Sequence, residues 1–514
     1  MTDDLLRSDQ EQIQGFLQDE SKCTGWAESI SFPENEEEIQ ALVALCQDKH
    51  LSLTIQGNLT GICGGAVPQG GHILNLSKMN RILEFKLEEG LVRVEPGVLL
   101  QDLNQALRKK RREKALFFPP DPTEALASIG GMAACNASGA GSYFYGATRN
   151  YVHGIRMVTA QGLLHVRRGE KTQEALLQEL GEPDGSFLLE KKVLGKNVAG
   201  YDWQPDGDAV DLLLSSEGTL GILSELELRL LPVPMQKMGI LFFFRENQLA
   251  VEFVRWLRGE KVDSIEERPV GGPIAIEYMN QSAFQMVKEF RELKPELKRF
   301  QQIPQAIEAG VYLEFHEESE EKIEQVAEQL LGLNDHFNMV EGEEWCAFDE
   351  ESLEQIRVFR HAVPECANLR MVERKTKEPR LRKLGTDFAV PNEKLKACMV
   401  MYQQGLDQLG IDSLIFGHIG DNHLHINLLP KTWEEAEKSQ LLMAEWEGQV
   451  IAWRGTITAE HGVGRTKRSA FQRMYSSKDV QIMKAIKARF DPEGLFNPGV
   501  IFDTKKPAKK TAGD

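Results

Sequence analysis

Gln56-Gly-Asn-Leu-Thr-Gly-Ile-Cys-Gly-Gly-Ala66 follows the strand-like run Leu51-Ser-Leu-Thr-Ile55, and two later stretches share its character. Pro119-Pro-Asp-Pro122 leads into Ala127-Ser-Ile-Gly-Gly-Met-Ala-Ala-Cys-Asn-Ala-Ser-Gly-Ala-Gly141, and Ser215-Ser-Glu-Gly-Thr-Leu-Gly-Ile222 is the third. Glycine mixed with Ser, Thr and Asn lets the backbone approach a ligand closely and aim several N–H groups at a diphosphate. Any one of these loops taken alone reads first as a tight turn. Three of them together favour a large diphosphate cofactor without naming it. None is G-x-G-x-x-G, and no G-x-x-x-x-G-K-[ST] occurs, so a Rossmann or P-loop site fails on residues.

Around these loops short strands mix with a few helices. Ile39, Leu42, Val43 and Cys46 form one helical stripe. Phe85–Glu88 and Leu91–Glu95 flank Glu89-Gly90, and Ile155–Ala160 and Leu163–Val166 flank Gln161-Gly162, as two hairpins. This is unlike the regular alternation of a doubly wound sheet, and the class is α+β. Leu231-Pro-Val-Pro234 marks a boundary, because two prolines end a strand. Strand Ile240–Phe244, helix Gln248–Arg258, strands Ile274–Tyr278 and Val311–Phe315, and helix Glu321–Leu331 then predict a second α+β domain with an antiparallel sheet. The expected organisation is a partly helical lead-in at 1–32, a cofactor domain at 33–232 and a substrate domain at 233–454. A segment at 455–503 completes the active site, and a disordered basic tail covers 504–514.

Composition removes several classes. At roughly 150 residues per domain, 514 residues hold about three domains' worth of chain. Acidic residues outnumber basic ones by 78 to 60, a net charge of −18, which makes a poor nucleic-acid binder. The run Arg108-Lys-Lys-Arg-Arg112 reads as the solvated end of a helix. Seven cysteines with no C-x-x-C argue against a disulfide framework, a zinc ribbon or an iron–sulfur cluster on this chain. No run approaches the roughly 18 apolar residues of a transmembrane span, and the start has no signal-peptide pattern. A cytoplasmic or membrane-peripheral enzyme is expected.

The sharpest chemistry lies in Phe416-Gly-His418-Ile-Gly-Asp-Asn-His423-Leu-His425-Ile-Asn427 and Thr458-Ala-Glu460-His461-Gly-Val-Gly464. Imidazole nitrogens with a carboxylate are ligands for a divalent ion, and three protein ligands with one open position mark a catalytic site. On a strand, His423, His425 and Asn427 share a face. The alternative is a set of hydrogen-bonded pocket histidines holding no metal.

The blocks in this order resemble the vanillyl-alcohol oxidase / p-cresol methylhydroxylase flavoprotein superfamily, and within it the D-2-hydroxyacid dehydrogenase branch. Gly57–Ala66 with Pro68–Asn80 is similar to the first FAD loop. Phe118–Pro122, Ser128–Gly131, Asn136, Tyr145-Gly146 and Thr148–Gly154 resemble the second, and Lys196–Asp202 with Ser216–Ile222 the third. The likeness continues to Asp491–Gly499. It implies a two-subdomain p-cresol methylhydroxylase-type FAD domain. FAD contacts are expected from Gly57, Asn58, Leu59, Thr60, Gly61, Gly64, Gly65, Pro122, Ser128, Gly130, Gly131, Asn136, Ser138, Gly139, Gly146, Glu217, Gly218, Gly221, Ile222 and Asn497. Loop 56–66 contains no histidine, so the FAD is expected to be non-covalent, with His72 and His153 as strand-end residues.

The branch's GHxGDGNLH-type pattern matches at His418, Gly420, Asp421, Leu424 and His425, and its SxEHG-type pattern at Glu460-His461-Gly462. Carried over, His418, His425 and Glu460 hold a divalent metal, zinc first with manganese or iron as alternatives. His461 is the catalytic base, Asn427 touches the substrate and Arg360 meets its carboxylate. Where the pattern has Gly-Asn this chain has Asn422-His423, a departure at the local turn. Gly385 stands where 2-hydroxyglutarate enzymes place a lysine, with Lys383 nearby, and Pro364 replaces a hydroxyl residue. These favour a monocarboxylic or unusual hydroxyacid over 2-hydroxyglutarate.

The expected reaction takes a D-2-hydroxyacid to the 2-oxoacid by metal-assisted proton removal and hydride transfer to the flavin. Electrons pass to a quinone, a cytochrome or an electron-transfer flavoprotein, and any iron–sulfur relay belongs to a separate protein. A homodimer is compatible with the sequence. The competing readings on this fold are an alkyl-dihydroxyacetonephosphate synthase-like transferase and a non-catalytic FAD-binding subunit of a glycolate-oxidase-type complex.

Overall fold

The computed structural model describes residues 6–171, 189, 194–204, 206–262, 270–291 and 302–503; the expected basic tail at 504–514 lies outside them. The protein is α+β, built on two main sheets and two small ones. Ser29–Ser31, His72–Asn75 and Leu53–Gln56 form a three-stranded parallel sheet with the 72–75 strand central. Ile82–Lys86, Leu91–Val94, Ile222–Arg229, Val152–Thr159 and Gly162–Arg167 follow in that spatial order in a five-stranded antiparallel sheet. Leu116–Phe117 pairs with Leu231–Pro232, so the proline-rich boundary segment still donates a short strand before the chain moves on.

The second large sheet runs Trp345–Ala347, Gln236–Phe244, Ala309–Glu317, Ala275–Asn280, Ser413–Gly417, His423–Leu428 and Leu384–Gly385, with Phe388–Ala389 also on the 423–428 strand. Every pairing in it is antiparallel. The helix over Glu36–Asp48 buries Ile39, Leu42, Val43 and Cys46, the stripe read from the sequence. Asn35 caps it by accepting the Glu38 amide, and three glutamates in the first turn suit the positive end of the helix dipole.

One expectation needs correction, and two features are new. The first hairpin strand begins at Ile82, three residues before Phe85, because Leu87–Glu89 form a 3-10 turn instead of continuing it. A register shift between Ile82 and Glu84 and a mostly exposed face blur the alternation there. The polar lead-in carries more than helix: Ser29–Ser31 is a buried edge strand. The helix Glu350–Lys375 runs on through Pro364, so Pro364 offers no N–H to the preceding turn.

The last fifty residues return to the first sheet. Leu53 pairs with Phe496, and Asn497 accepts the Ile55 amide at 2.8 Å while donating to the Glu217 carbonyl at 2.7 Å. One continuous apolar core runs from Val92 in the five-stranded sheet to Phe242 in the eight-stranded one.

Candidate active site

Strand Ser413–Gly417 and strand His423–Leu428 are joined by a 3-10 turn at Ile419–Asp421 and by Asn422 in the left-handed conformation (φ 53°). Asparagine tolerates that conformation better than most non-glycine residues, so the turn survives where the family pattern has glycine. Asn422 is further fixed by its amide, which donates to Asn392 at 2.7 Å, and by accepting from Arg258.

The turn brings His418 beside the following strand, where His423 and His425 alternate on one face with ring centroids 4.5 Å apart. Glu460 enters from the 455–464 loop, which is tied to the sheet by reciprocal hydrogen bonds between Ala389 and Thr456. One donor atom each from His418, His423, His425 and Glu460 all lie within 4.8 Å of one another.

Each ring has a partner on its far nitrogen. His418 Nδ1 is 2.6 Å from Glu277, His425 Nδ1 is 3.2 Å from the Thr386 carbonyl, and His423 Nε2 is 3.0 Å from Asp387, a close polar contact without hydrogen-bond alignment. The near nitrogens face Glu460: His418 Nε2 at 3.3 Å, His423 Nδ1 at 3.7 Å and His425 Nε2 at 3.9 Å. Carboxylate or carbonyl behind imidazole is the outer-shell arrangement that orients metal-binding histidines. Glu460 Oε1 is occupied by the Ser138 hydroxyl at 2.6 Å and by the Lys196 ammonium, so Oε2 is the oxygen left toward the rings of His423 and His425.

Burial, together with the neighbouring rings of His423 and His461, holds His425 well below its ordinary range, and burial lowers His423 too. Burial also opposes charge on His418, but Glu277 and Glu460 outweigh it and push that ring up to about 9. Four buried carboxylates, Glu277, Asp387, Asp421 and Glu460, face the cations Lys196, Arg360 and Lys467. The unpartnered Nδ1 of the buried His423, turned toward Glu460, fits a bound cation.

His461 lies beside this cluster, its ring centroid 5.6 Å from that of His425. Its side chain is 30% exposed, against 0–16% for the three inward histidines, which leaves it reachable by a small molecule. Asp387 holds its Nδ1 at 3.2 Å, leaving Nε2 as the outward nitrogen. Asn427 is buried with an unpaired Nδ2, a donor with nothing in the protein to bind. Arg360 is already engaged: it reaches Glu277 at 2.9 Å and lies over the Tyr312 ring. Lys383 is half-buried, its ammonium disfavoured by burial, and it makes no ion pair among the described residues.

The glycine-rich loops divide into two kinds. Among the described residues the backbone amides of Asn58, Leu59, Thr60, Gly61, Ile62 and Cys63, and those of Ser138 through Gly141, make no hydrogen bond. Leu59 and Gly64 are left-handed, and a Cβ at Gly61, Gly64 or Gly65 would meet nothing nearer than 3.6 Å, so these amides front open space suited to an anion. Arg465 beside Gly64 adds a buried, unpaired Nη2. These features fit a diphosphate.

Other loop residues brace the protein. Gly57 packs on Ser128, which caps the helix carrying Gly130 and Gly131; Gly130 meets Pro96, Gly146 meets Asn150, Gly218 meets Asn497 and Gly221 meets Met157. Asn136 accepts the Arg149 amide, and Ile222 is a fully buried strand residue. The Glu217 side chain accepts the amides of Val463 and Gly464, both at 2.7 Å, and so clasps the 455–464 loop. His72 and His153 stand at strand starts, with His72 Nδ1 on the Ser29 hydroxyl at 2.7 Å.

Gly139 admits no side chain: an ideal Cβ would fall 1.8 Å from the Asp121 carbonyl oxygen, next to Pro122. Gly139→Ala is therefore expected to push the Ser138–Gly141 amides out of line and lower the flavin-to-protein absorbance ratio of the purified protein. A full flavin complement in that variant would contradict this placement.

Glu277, Lys196, Lys467 and the central role of Asp387 were not assigned from the sequence. Glu277 had one signal, a single carboxylate inside the apolar strand Ala275-Ile-Glu-Tyr-Met279. Lys467 had none.

Residues 27–167 match the FAD binding domain family, and residues 261–501 match the FAD linked oxidases, C-terminal domain. The probable mitochondrial D-lactate dehydrogenase of Danio rerio is 30% identical, over 92% of this chain and 84% of its own. The glycolate oxidase subunit GlcD of Bacillus subtilis is 28% identical, over 92% and 89%. Among solved structures, p-cresol methylhydroxylase shares the fold, with a TM-score of 0.65 at 14% identity, covering 98% of this chain and 94% of that one.

Proposed function

The chain belongs to the FAD-linked oxidase family, and from that premise we propose that it is a D-2-hydroxyacid dehydrogenase whose substrate binds between the Glu460–histidine cluster and His461. The observation that carries this reading is the bond from Ser138, in a glycine-rich cofactor loop, to Glu460 in the histidine cluster. It joins the cofactor loop to a site able to hold a cation beside a reachable base.

When bound, FAD supplies the two-electron acceptor and a divalent ion supplies a Lewis acid for the substrate's hydroxyl and carboxylate oxygens. His418, His425 and Glu460 are the proposed holders of that ion, with zinc favoured by the nitrogen-rich set over manganese or iron. Lys196 and Ser138 fix Glu460 by one oxygen. His461 receives the hydroxyl proton at Nε2, while Asp387 keeps Nδ1 protonated and stabilises the cationic ring that results. Asn427 donates its free Nδ2 to a substrate oxygen, and Arg360 offers its remaining N–H groups to the carboxylate. The FAD diphosphate is assigned to the Asn58–Cys63 and Ser138–Gly141 amides.

Gly385 is exposed beside Asn427 and brings no cation, which supports a monocarboxylic acid of the lactate or glycolate kind over 2-hydroxyglutarate. A quinone, cytochrome or electron-transfer flavoprotein takes the electrons. Among the described residues no helix is long and apolar enough to cross a membrane. The proposed location is the cytoplasm or a membrane surface.

The test is an anaerobic visible spectrum before and after addition of paired D- and L-2-hydroxyacids. Bleaching of the flavin band by a D-acid and not its enantiomer is expected. A band that no 2-hydroxyacid bleaches would overturn the reading.

A further inference from the structure

We propose that His423 is a fourth protein ligand of the ion, so that this chain holds it with three histidines and one glutamate. The inference rests on the metal reading above and goes beyond the His418, His425 and Glu460 set. Position 423 is the second residue of the departure from the family's Gly-Asn, and the turn that precedes it is preserved by Asn422 in the left-handed conformation. His423 therefore opens the strand two residues before His425 and shares its face.

Its ring is fully buried, Nε2 stands against Asp387, and Nδ1 has no hydrogen-bond partner. It lies between two carboxylates: Asp387 is 3.0 Å from Nε2 and Glu460 is 3.7 Å from Nδ1. A neutral imidazole carries one N–H and one lone pair, so either tautomer turns a lone pair toward a carboxylate in a site without solvent. A cation at Nδ1 removes the conflict. Asp387 would then accept the Nε2–H hydrogen bond, the carboxylate behind imidazole that orients metal-binding histidines. The alternative is that His423 is a hydrogen-bonded spacer between Asp387 and Glu460.

Four protein ligands make a nitrogen-rich set that selects zinc or cobalt over harder ions and retains them more firmly than three do.

The experiment uses the FAD-loaded full chain, stripped with a chelator and reloaded with zinc. Zinc K-edge absorption counts coordinated imidazoles from their outer-ring scattering, and competition with a chromophoric chelator gives affinity. The wild type is expected to fit three imidazoles. His423→Asn, which restores the family's residue, is expected to fit two and to bind zinc more weakly by at least the roughly 10–100-fold that loss of an outer-shell partner costs. Two imidazoles in the wild type, or an unchanged affinity and spectrum in His423→Asn, would make His423 a spacer and leave the metal reading standing. No zinc in the wild type would overturn both. If the variant does not retain FAD, the wild-type imidazole count decides alone.

Discussion

Asp387→Asn is expected to slow substrate-dependent flavin reduction by about 10⁴-fold, the loss that accompanies a reversed tautomer when the carboxylate behind a catalytic histidine becomes an amide. Asp387 is 3% exposed and serves several groups at once. It holds His461 Nδ1 at 3.2 Å, Lys467 at 2.5 Å and the Thr458 hydroxyl at 2.9 Å, and it accepts the amides of Glu460 and His461 at 3.3 and 3.2 Å. Burial opposes its charge, but His461, Lys467 and His423 hold its carboxyl well below the ordinary range. An amide has one acceptor oxygen, so it cannot serve both the ring and Lys467. The imidazole can then flip its proton to the outward nitrogen, which no longer accepts. Lys467 loses its counter-charge in a buried setting, a change that costs about 3–5 kcal/mol. Stopped-flow bleaching of the flavin reads the first effect and the melting temperature the second. A reduction rate within tenfold of wild type would remove Asp387 from the mechanism.

His461→Ala is the second large effect. Loss of a positioned base costs about 10²–10⁴-fold. FAD should stay bound, because the unpaired amides assigned to it lie on other loops, at Asn58–Cys63 and Ser138–Gly141. Affinity for the 2-oxoacid product should change little, since carboxylate contacts are assigned elsewhere, and added imidazole should restore part of the rate. Rapid bleaching in the variant without rescue would move the base to another group. The two variants separate cleanly: His461→Ala leaves Lys467 and Asp387 paired, so its melting temperature should stay near wild type while that of Asp387→Asn falls.

Much of this site was legible in the sequence because its residues are close in the chain. His418 to Asn427 is one turn and one strand, and alternate residues on a strand necessarily share a face. The stripe from Ile39 to Cys46 is equally local. What the sequence hid is set by long-range pairing. Glu277 reaches His418 because Tyr278 pairs with Gly417, strands 139 positions apart with no motif linking them. Lys196 and Glu460 meet across 264 positions, Glu217 and Val463 across 246. The loop glycines mislead in a second way. A glycine needed for close backbone packing, such as Gly139 against Asp121, looks the same in sequence as one that opens space for a ligand, such as Gly61.

The clasp between Asn497 and the first sheet bears on how the protein is made. The Ile55 amide waits for a partner 442 residues downstream. At about 5–20 residues per second, a ribosome takes roughly 20–90 s to deliver it. For that interval the nascent cofactor domain exposes the edge that Phe496 later covers, and it lacks the hook that fixes the Glu217 carbonyl. The first sheet therefore reaches its final hydrogen bonding only when the chain is nearly complete.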